Sequence, residues 1–179
     1  MNNQLNAKTI AVLAIMTSIV TVVTRVVQVF YPPTGGYMTF ADVAVYFAAL
    51  AFGPWVGLIA GGVGAALGDV LGGFAAFAPL TFLAHGLQGW LAGYIGWRTN
   101  SRQRILLSWG AGTLAMVGLY FLGEAFVMGI GLGGATLEIP ANLIQNAAGA
   151  LIGIPLVYAV RRAYPPINQI GFGKTWKEA

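Results

Sequence analysis

The length, composition and charge of the chain exclude a soluble domain. Its 179 residues are 58% hydrophobic and only 8% charged, with a mean hydropathy of +0.76, whereas soluble domains carry about 25% charged residues. Long Ala-, Gly- and Leu-rich runs do not alternate as the strands of a membrane barrel do. The sequence therefore predicts an all-α integral membrane protein, and its net charge of +4 needs no nucleic-acid partner to explain it.

Helix-breaking residues and charges divide the chain into six predicted membrane helices, packed as one compact domain over residues 1–179. In chain order they are 8–30, 41–52, 55–72, 80–97, 105–131 and 138–162. The second measures about 18 Å at 1.5 Å per residue, which is too short to cross a hydrocarbon core of about 30 Å alone. We expect it to start earlier or to be shielded by the segment YPPTGGYMTF at 31–40.

The distribution of basic residues predicts the orientation. With six spans, eight of the nine Lys and Arg residues, all except Arg25, fall on the side of the two termini. Four of the five acidic residues fall toward the other side, at Asp42, Asp69, Glu124 and Glu138. Because basic connections stay inside, both termini are predicted to be cytoplasmic. A five-helix arrangement would split the basic clusters across the membrane and is disfavoured.

The last predicted helix is polar on one face of its outer half. That face carries Glu138, Asn142, Gln145 and Asn146, which fall on one side at about 100° per residue. Small residues continue the stripe below, where they would let helices close tightly. The face is therefore suited to an outer pocket closed from beneath.

Two further helices bring polar groups to the same outer level. The fourth repeats the spacing of the last with Thr81, His85 and Gln88, and the fifth, running in the opposite direction, adds Tyr120 and Glu124 one turn apart. These groups could serve only to tie helices together, as amides and hydroxyls commonly do. We favour a substrate-binding pocket because an ionisable side chain at mid-bilayer costs about 2.5–3.5 kcal/mol and is functional by default.

Other polar and aromatic residues have simpler interpretations. Tyr37 and Met38 would join the pocket if segment 31–40 is a hinged lid, and an ordinary connection is the alternative. For Asp69, a packing and capping role beside two glycines is favoured over ligand contact. Arg25 is expected to extend toward the interface, and Trp90 to pack away from the pocket.

Signatures of catalysis, metals and cofactors are weak. The chain has no cysteine and a single histidine, so a Cys- or His-rich metal site has no support, and no serine neighbours a plausible base. GFGKTW at 171–176 lacks the first glycine of a phosphate-binding loop because Asn168 stands there. We predict no enzyme activity, catalytic residue, metal or cofactor, and interpret this stretch as a basic tail.

A stripe of small residues lies along the first helix, at Ala7, Ala11, Ala14 and Ser18. Such a stripe permits close helix contact. The contact could be made within the chain or with a partner subunit.

Three features, in this order, resemble the S component of energy-coupling-factor (ECF) vitamin transporters. They are the Ala-x-x-x-Ala stripe of the first helix, FGPWVGLIAGGVGAALGDVLGG at 52–73 and PANLIQNAAGALIGIPL at 140–156. The Phe-Gly-Pro and Gly-Asp elements, with Pro-x-Asn-x-x-Gln before Gly-Ile-Pro-Leu, are most similar to riboflavin-type or hydroxymethylpyrimidine/pyridoxine-type members.

The resemblance implies a membrane subunit that captures a vitamin outside the cell. It implies partners, a transmembrane coupling subunit and two ATPases, and a delivery step in which the subunit tilts in the bilayer. It also places the binding site in the loop after the first helix and in helices four to six. By the same resemblance, Ala7, Ala11, Ala14 and Ser18 would face the coupling subunit.

The substrate is less well determined. Acidic residues outnumber basic ones near the outer face, which favours a neutral or weakly cationic pyrimidine or pyridine over a dianion. On the other hand, two helix N-termini there would stabilise a negatively charged ligand. Riboflavin is a further possibility. The alternatives in other classes are a self-sufficient carrier or channel, which needs a continuous polar path or inverted repeats, and an intramembrane enzyme.

Overall fold

The structure is a computed structural model that describes residues 7–172. Within that range the chain forms α1 (Ala7–Val26), α2 (Ala41–Phe52), α3 (Pro54–Gly72), α4 (Ala78–Gly96), α5 (Arg102–Phe126) and α6 (Gly131–Ala163). A short 3-10 helix follows at Pro165–Gln169. This helical membrane fold confirms the predicted class. The predicted basic tail lies outside the described residues beyond position 172.

The connection between α1 and α2 is a β-hairpin. Its strands, β1 (Gln28–Tyr31) and β2 (Gly36–Thr39), pair antiparallel, with Gln28 opposite Thr39 and Tyr31 opposite Gly36. Valine and aromatic residues in β1 favour extended structure, so α1 ends at Val26 rather than at residue 30. The turn uses Gly35 at a φ of 71°, a conformation that glycine adopts without strain.

Helices α1, α3, α5 and α6 are each long and apolar enough to cross a membrane. Helix α6 runs for 33 residues and begins at Gly131, seven residues before the predicted 138. A π-helical segment at Gly149–Gly153 widens its middle. Such segments are often found at functional sites.

The short helix α2 lies in the centre of the bundle. Ten of its twelve residues are buried, and it contacts α1, α3, α4 and α6. It ends at Phe52, and the next residue is Gly53 with a φ of 99°. A Cβ added at Gly53 would lie 2.8 Å from the Trp97 ring. Pro54 then opens α3 at a position that suits proline. The shortness of α2 is tolerated because its neighbours, rather than lipid, surround it.

Glycines bring α3 and α4 into backbone contact. A Cβ added at Gly61 would lie 2.6 Å from the carbonyl oxygen of His85, and one at Gly93 would lie 2.6 Å from the nitrogen of Pro54. Gly57 and Gly89 face each other in the same way. Small residues at four-residue spacing allow this approach, which fixes the position of His85 against α3.

The two ends of the bundle carry opposite charges. The hairpin end of the bundle contains the last residues of α3 and α5 and the first residues of α2 and α6. The acidic residues of the described range lie in that half: Asp42, Asp69, Glu124 and Glu138. Five arginines lie at the other end: Arg98, Arg102, Arg104, Arg161 and Arg162.

Candidate ligand-binding site

A polar cavity lies beneath the hairpin, between the hairpin-end halves of α3, α4, α5 and α6. Seven residues predicted for the pocket line it: Tyr37, Thr81, His85, Tyr120, Glu138, Asn142 and Gln145. Its free volume is about 30 Å³, room for about two water molecules. A larger ligand therefore requires the walls to move.

Hydrogen bonds at the base of the cavity define the state of His85. Its Nδ1 lies 2.9 Å from Gln88 Oε1, and Gln88 Nε2 donates to Asp42 Oδ1 and, over 2.8 Å, to Asn146 Oδ1. If the Gln88 amide were flipped, its oxygen would face the acceptor oxygens of Asp42 and Asn146 and no hydrogen bond could form. Gln88 Oε1 must then accept from His85 Nδ1–H.

Asn146 is the centre of a buried network below the cavity. Its Oδ1 accepts hydrogen bonds from Tyr46 Oη (3.0 Å) and Thr113 Oγ1 (3.1 Å). Its Nδ2 donates to the carbonyl oxygen of Asn142 (3.0 Å) and approaches the Met116 sulfur at 3.3 Å. Asn146 is fully buried. The network thus closes the floor of the cavity around an Asn146 amide whose oxygen and nitrogen both have partners.

The hairpin and α4 form the upper wall. Tyr37 Oη donates to Asp69 Oδ1 over 2.5 Å, and its ring packs on Phe74 with centroids 4.4 Å apart. Burial and the neighbouring Asp69 raise the pKa of Tyr37 above its usual value, so the hydroxyl keeps its proton and donates. Across the cavity, the hydroxyls of Thr81 and Tyr120 lie 2.7 Å apart.

Two neighbouring carboxyl groups lie on the α5–α6 side. Glu138 lines the cavity, and Glu124, which is fully buried, lies close enough to interact with it. Within residues 7–172, no other group donates a hydrogen bond to either oxygen of Glu124 or to Oε2 of Glu138, and the two carboxyl groups are near enough to share a hydrogen bond with each other. A buried acceptor without a donor costs about 1–3 kcal/mol, so this side of the cavity favours a ligand that donates.

The remaining predicted residues lie around the cavity. Gln88 and Asn146 are in the floor network, and Glu124 lies beside Glu138. Met38 lines a separate apolar cavity of about 130 Å³ on the far side of Gln145. The segment that carries Tyr37 and Met38 is therefore shared between two cavities.

Asp69 lies in the cavity wall, although the sequence analysis favoured a packing and capping role for it. Asp42, in the floor network, was not singled out as a site residue. An ionisable side chain is costly to place in the membrane, which is why Glu124 was predicted to be functional. The same reasoning applied to Asp42 and Asp69 would have found both residues. Thr24 and Thr39 also line the cavity, and no local pattern indicates them.

Two residues lie outside the cavity lining. Arg25 is exposed and donates to Gln28 Oε1 over 2.9 Å. Trp90 stacks on Tyr94 with ring centroids 5.2 Å apart.

The small-residue stripe of α1 is on the outside of the bundle. Ala7, Ala11, Ala14 and Ser18 are all exposed. The buried side of α1 carries Thr9, Met16, Val20 and Thr24, and it packs against α3. Within the described chain the stripe therefore does not serve the packing of α1 on its neighbours.

Two proteins are similar in sequence over most of their length. The chain is 37% identical over 148 residues to an uncharacterized protein in the gap 3′ region of Pyrococcus woesei, a match that covers 83% of this chain and 98% of that protein. It is 32% identical over 158 residues to the thiamine precursor transporter HmpT of Lactococcus lactis subsp. cremoris (strain MG1363), covering 88% and 90% respectively.

Two solved structures share the fold. The S component of a bacterial ECF transporter superposes with a TM-score of 0.72 at 21% identity, over 87% of this chain and 96% of that one. FolT bound with folic acid superposes with a TM-score of 0.68 at 22% identity, over 89% and 95%. Residues 4–162 match the family described as the ECF-type riboflavin transporter, S component. The resemblance inferred from the sequence is thus confirmed, and the chain belongs to the S components of ECF-type transporters.

Proposed function

We propose that the protein captures a small, donor-rich vitamin or vitamin precursor, of the pyrimidine or pyridine type, in the cavity beneath the hairpin. It then delivers this ligand together with a transmembrane coupling subunit and two ATPases. The observation that carries the proposal is the excess of unpartnered acceptors around the cavity.

The acceptors lie on three sides of the cavity. Asp69 Oδ2 and Glu138 Oε2 have no donor among the described residues, and His85, with its proton on Nδ1, offers Nε2. A ring that carries an amino group and a hydroxyl would supply donors to these atoms, and a hydrogen bond to a charged acceptor contributes about 1.5–3 kcal/mol. A dianionic ligand would instead meet carboxylates.

The relatives are named for two different ring-containing ligands. HmpT is named for a thiamine precursor, whereas the matching family is described by riboflavin. The small free volume of the cavity favours the smaller ligand, because a three-ring compound would require a larger displacement of the walls. Riboflavin is therefore the competitor that an experiment must include.

Ligand entry would require the hairpin to open as a lid. Tyr31 Oη donates to the carbonyl oxygen of Leu137 over 2.6 Å, and Tyr37 bonds Asp69, so two hydroxyls hold the hairpin to α6 and α3. Both bonds can break without unfolding a helix. Lids of this kind shield bound ligands from water.

The charge distribution supports an outward-facing cavity. The arginine-rich end of the bundle would lie in the cytoplasm by the positive-inside rule, with both termini on that side and the cavity toward the outside. The exposed α1 stripe, Ala7, Ala11, Ala14 and Ser18, would then be available to the coupling subunit in the membrane.

Equilibrium binding to the purified protein tests the proposal. Hydroxymethylpyrimidine, pyridoxine, riboflavin and folate are compared by calorimetry, after mass spectrometry of any small molecule released from the preparation. We expect a pyrimidine or pyridine to bind best and Glu138→Gln to weaken its binding about tenfold or more, since the amide replaces one acceptor oxygen with a donor.

The matched control is Thr136→Val, an exposed change two residues away on α6, which should leave affinity unchanged. Tighter binding of folate or riboflavin would contradict the proposed ligand class. Unchanged affinity in Glu138→Gln would contradict the proposed site.

A further inference from the structure

A second cavity lies at the opposite end of the bundle from the ligand site. It is open, has a volume of about 450 Å³ and is lined by Arg98, Asn100, Tyr158, Arg161 and Arg162. The α4–α5 connection forms one wall, and the end of α6 forms the other. Among residues 7–172, its lining contains three guanidinium groups and no carboxylate.

Arg161 is held in place by the fold. Its Nη2 donates to the carbonyl oxygen of Leu50 over 2.8 Å, and its Nη1 donates to that of Thr99 over 3.4 Å. These neutral partners fix the guanidinium without neutralising its charge. Its buried Nε has no acceptor in the described part of the chain.

Arg98 is positioned by the backbone and by an aromatic ring. Its φ of 57° lies in the left-handed region, which is uncommon for residues other than glycine. Its Cζ lies 3.9 Å from the centre of the Trp97 ring, and Trp97 is buried. Cation–π contact of this kind orients a guanidinium, so the connection holds Arg98 at the cavity rather than leaving it to extend freely.

The acidic side chains of the described range lie away from this cavity. Asp42, Asp69, Glu124 and Glu138 belong to the hairpin half of the bundle, at the other ends of the helices. Planar guanidinium groups bind phosphate oxygens in pairs. Basic pockets between membrane helices at the membrane surface are suited to the headgroups of anionic lipids.

The apolar surroundings favour a lipid as the source of the phosphate. Leu106 and Leu107, in the first turns of α5, are 63% and 62% exposed, and Tyr158 in the cavity wall is 39% exposed. Leu106 and Leu107 lie outside the cavity lining but at the same end of the bundle, where exposed apolar side chains would contact acyl chains. We propose that the Arg98–Arg161–Arg162 cavity binds the phosphate group of an anionic phospholipid.

Native mass spectrometry of the full chain tests this inference. The protein in detergent is titrated with phosphatidylglycerol, with phosphatidylcholine and, separately, with inorganic phosphate. We expect phosphatidylglycerol to bind best and Arg98→Gln with Arg162→Gln to weaken it about tenfold or more. Arg161 is left intact because its bonds to Leu50 and Thr99 are part of the fold.

The matched control is Arg102→Gln, which removes a charge from the same end of the bundle but does not line the cavity. It should change the affinity less than twofold. Equal binding of the two lipids, or wild-type affinity in the double variant, would overturn the site. Inorganic phosphate that binds as tightly as phosphatidylglycerol would overturn the lipid assignment and indicate a soluble phosphate compound. Binding of the vitamin ligand is not required for any of these measurements.

Discussion

At the scale of single residues, the site is defined by which atoms are left without partners. Gln88 is fully buried, and both of its amide hydrogens are used, by Asp42 and Asn146. Its oxygen then determines the tautomer of His85. The state of a side chain that lines the cavity is therefore decided by residues outside the lining.

The tautomer of His85 can be measured directly. It is the only histidine in the chain, so ¹⁵N-histidine labelling of tag-free protein gives one set of imidazole signals. We expect a proton on Nδ1, because Gln88 Oε1 can only accept. Gln88→Leu should abolish this preference.

A ring with its proton on Nε2 alone would show that the Gln88 amide has the opposite orientation. Tyr94→Phe, on the same helix but outside the network, should leave the nitrogen shifts unchanged and serves as the control.

At the scale of elements, the contact between α3 and α4 positions the site. Gly57 and Gly89 bring the two backbones together, and His85 and Gln88 lie one turn or less from this contact on α4. Close backbone approach gains van der Waals contact that lipid cannot replace. His85 and Gln88 of the candidate site thus lie on a helix that is in backbone contact with its neighbour.

Gly89→Ala should destabilise the protein. The added methyl group would meet the backbone of Gly57, and overpacking of this kind costs about 1–3 kcal/mol. A thermal-unfolding measurement in detergent should show a lower midpoint and weaker ligand binding.

The matched control is the same substitution at Gly118, where an added Cβ meets no atom within 4 Å. Alanine is the better helix former, so Gly118→Ala should unfold at the wild-type temperature or above. If both variants behaved alike, the α3–α4 contact would not be as close as described.

At the scale of the whole molecule, the bundle has three separate candidate surfaces for interaction. The ligand cavity lies at one end, the arginine-lined cavity at the other, and the α1 stripe along the side. Because these surfaces are apart, variants at one should leave the others unaffected.

Ala11→Trp with Ala14→Trp should abolish vitamin uptake by the complete transporter while ligand affinity stays at the wild-type value. Both alanines are exposed, so the bulky rings would obstruct a partner without entering the core of this chain. Uptake into proteoliposomes and binding in detergent are measured on the same preparations.

The control variant is Leu107→Trp with Leu114→Trp, which places two tryptophans at exposed positions of α5. The transporter that contains this variant should take up the vitamin normally. Normal uptake by the α1 variant with the complex intact would contradict the stripe as a contact surface. Uptake by this chain alone in liposomes would instead favour a self-sufficient carrier.

By itself, the sequence determined the membrane class, the helical fold and the family, because hydropathy and helical periodicity are local properties of the chain. The same periodicity predicted the polar faces of α4 and α6, which the tertiary structure brings to one cavity. The hairpin was missed because strand pairing between residues 28–31 and 36–39 depends on the turn geometry and on the bundle beneath it. Only the tertiary structure decided that Asp69 lines the cavity, where Tyr37 of the hairpin bonds it, and that Gln88 is oriented toward His85 by Asp42 and Asn146, because these partners are distant from Asp69 and Gln88 in sequence.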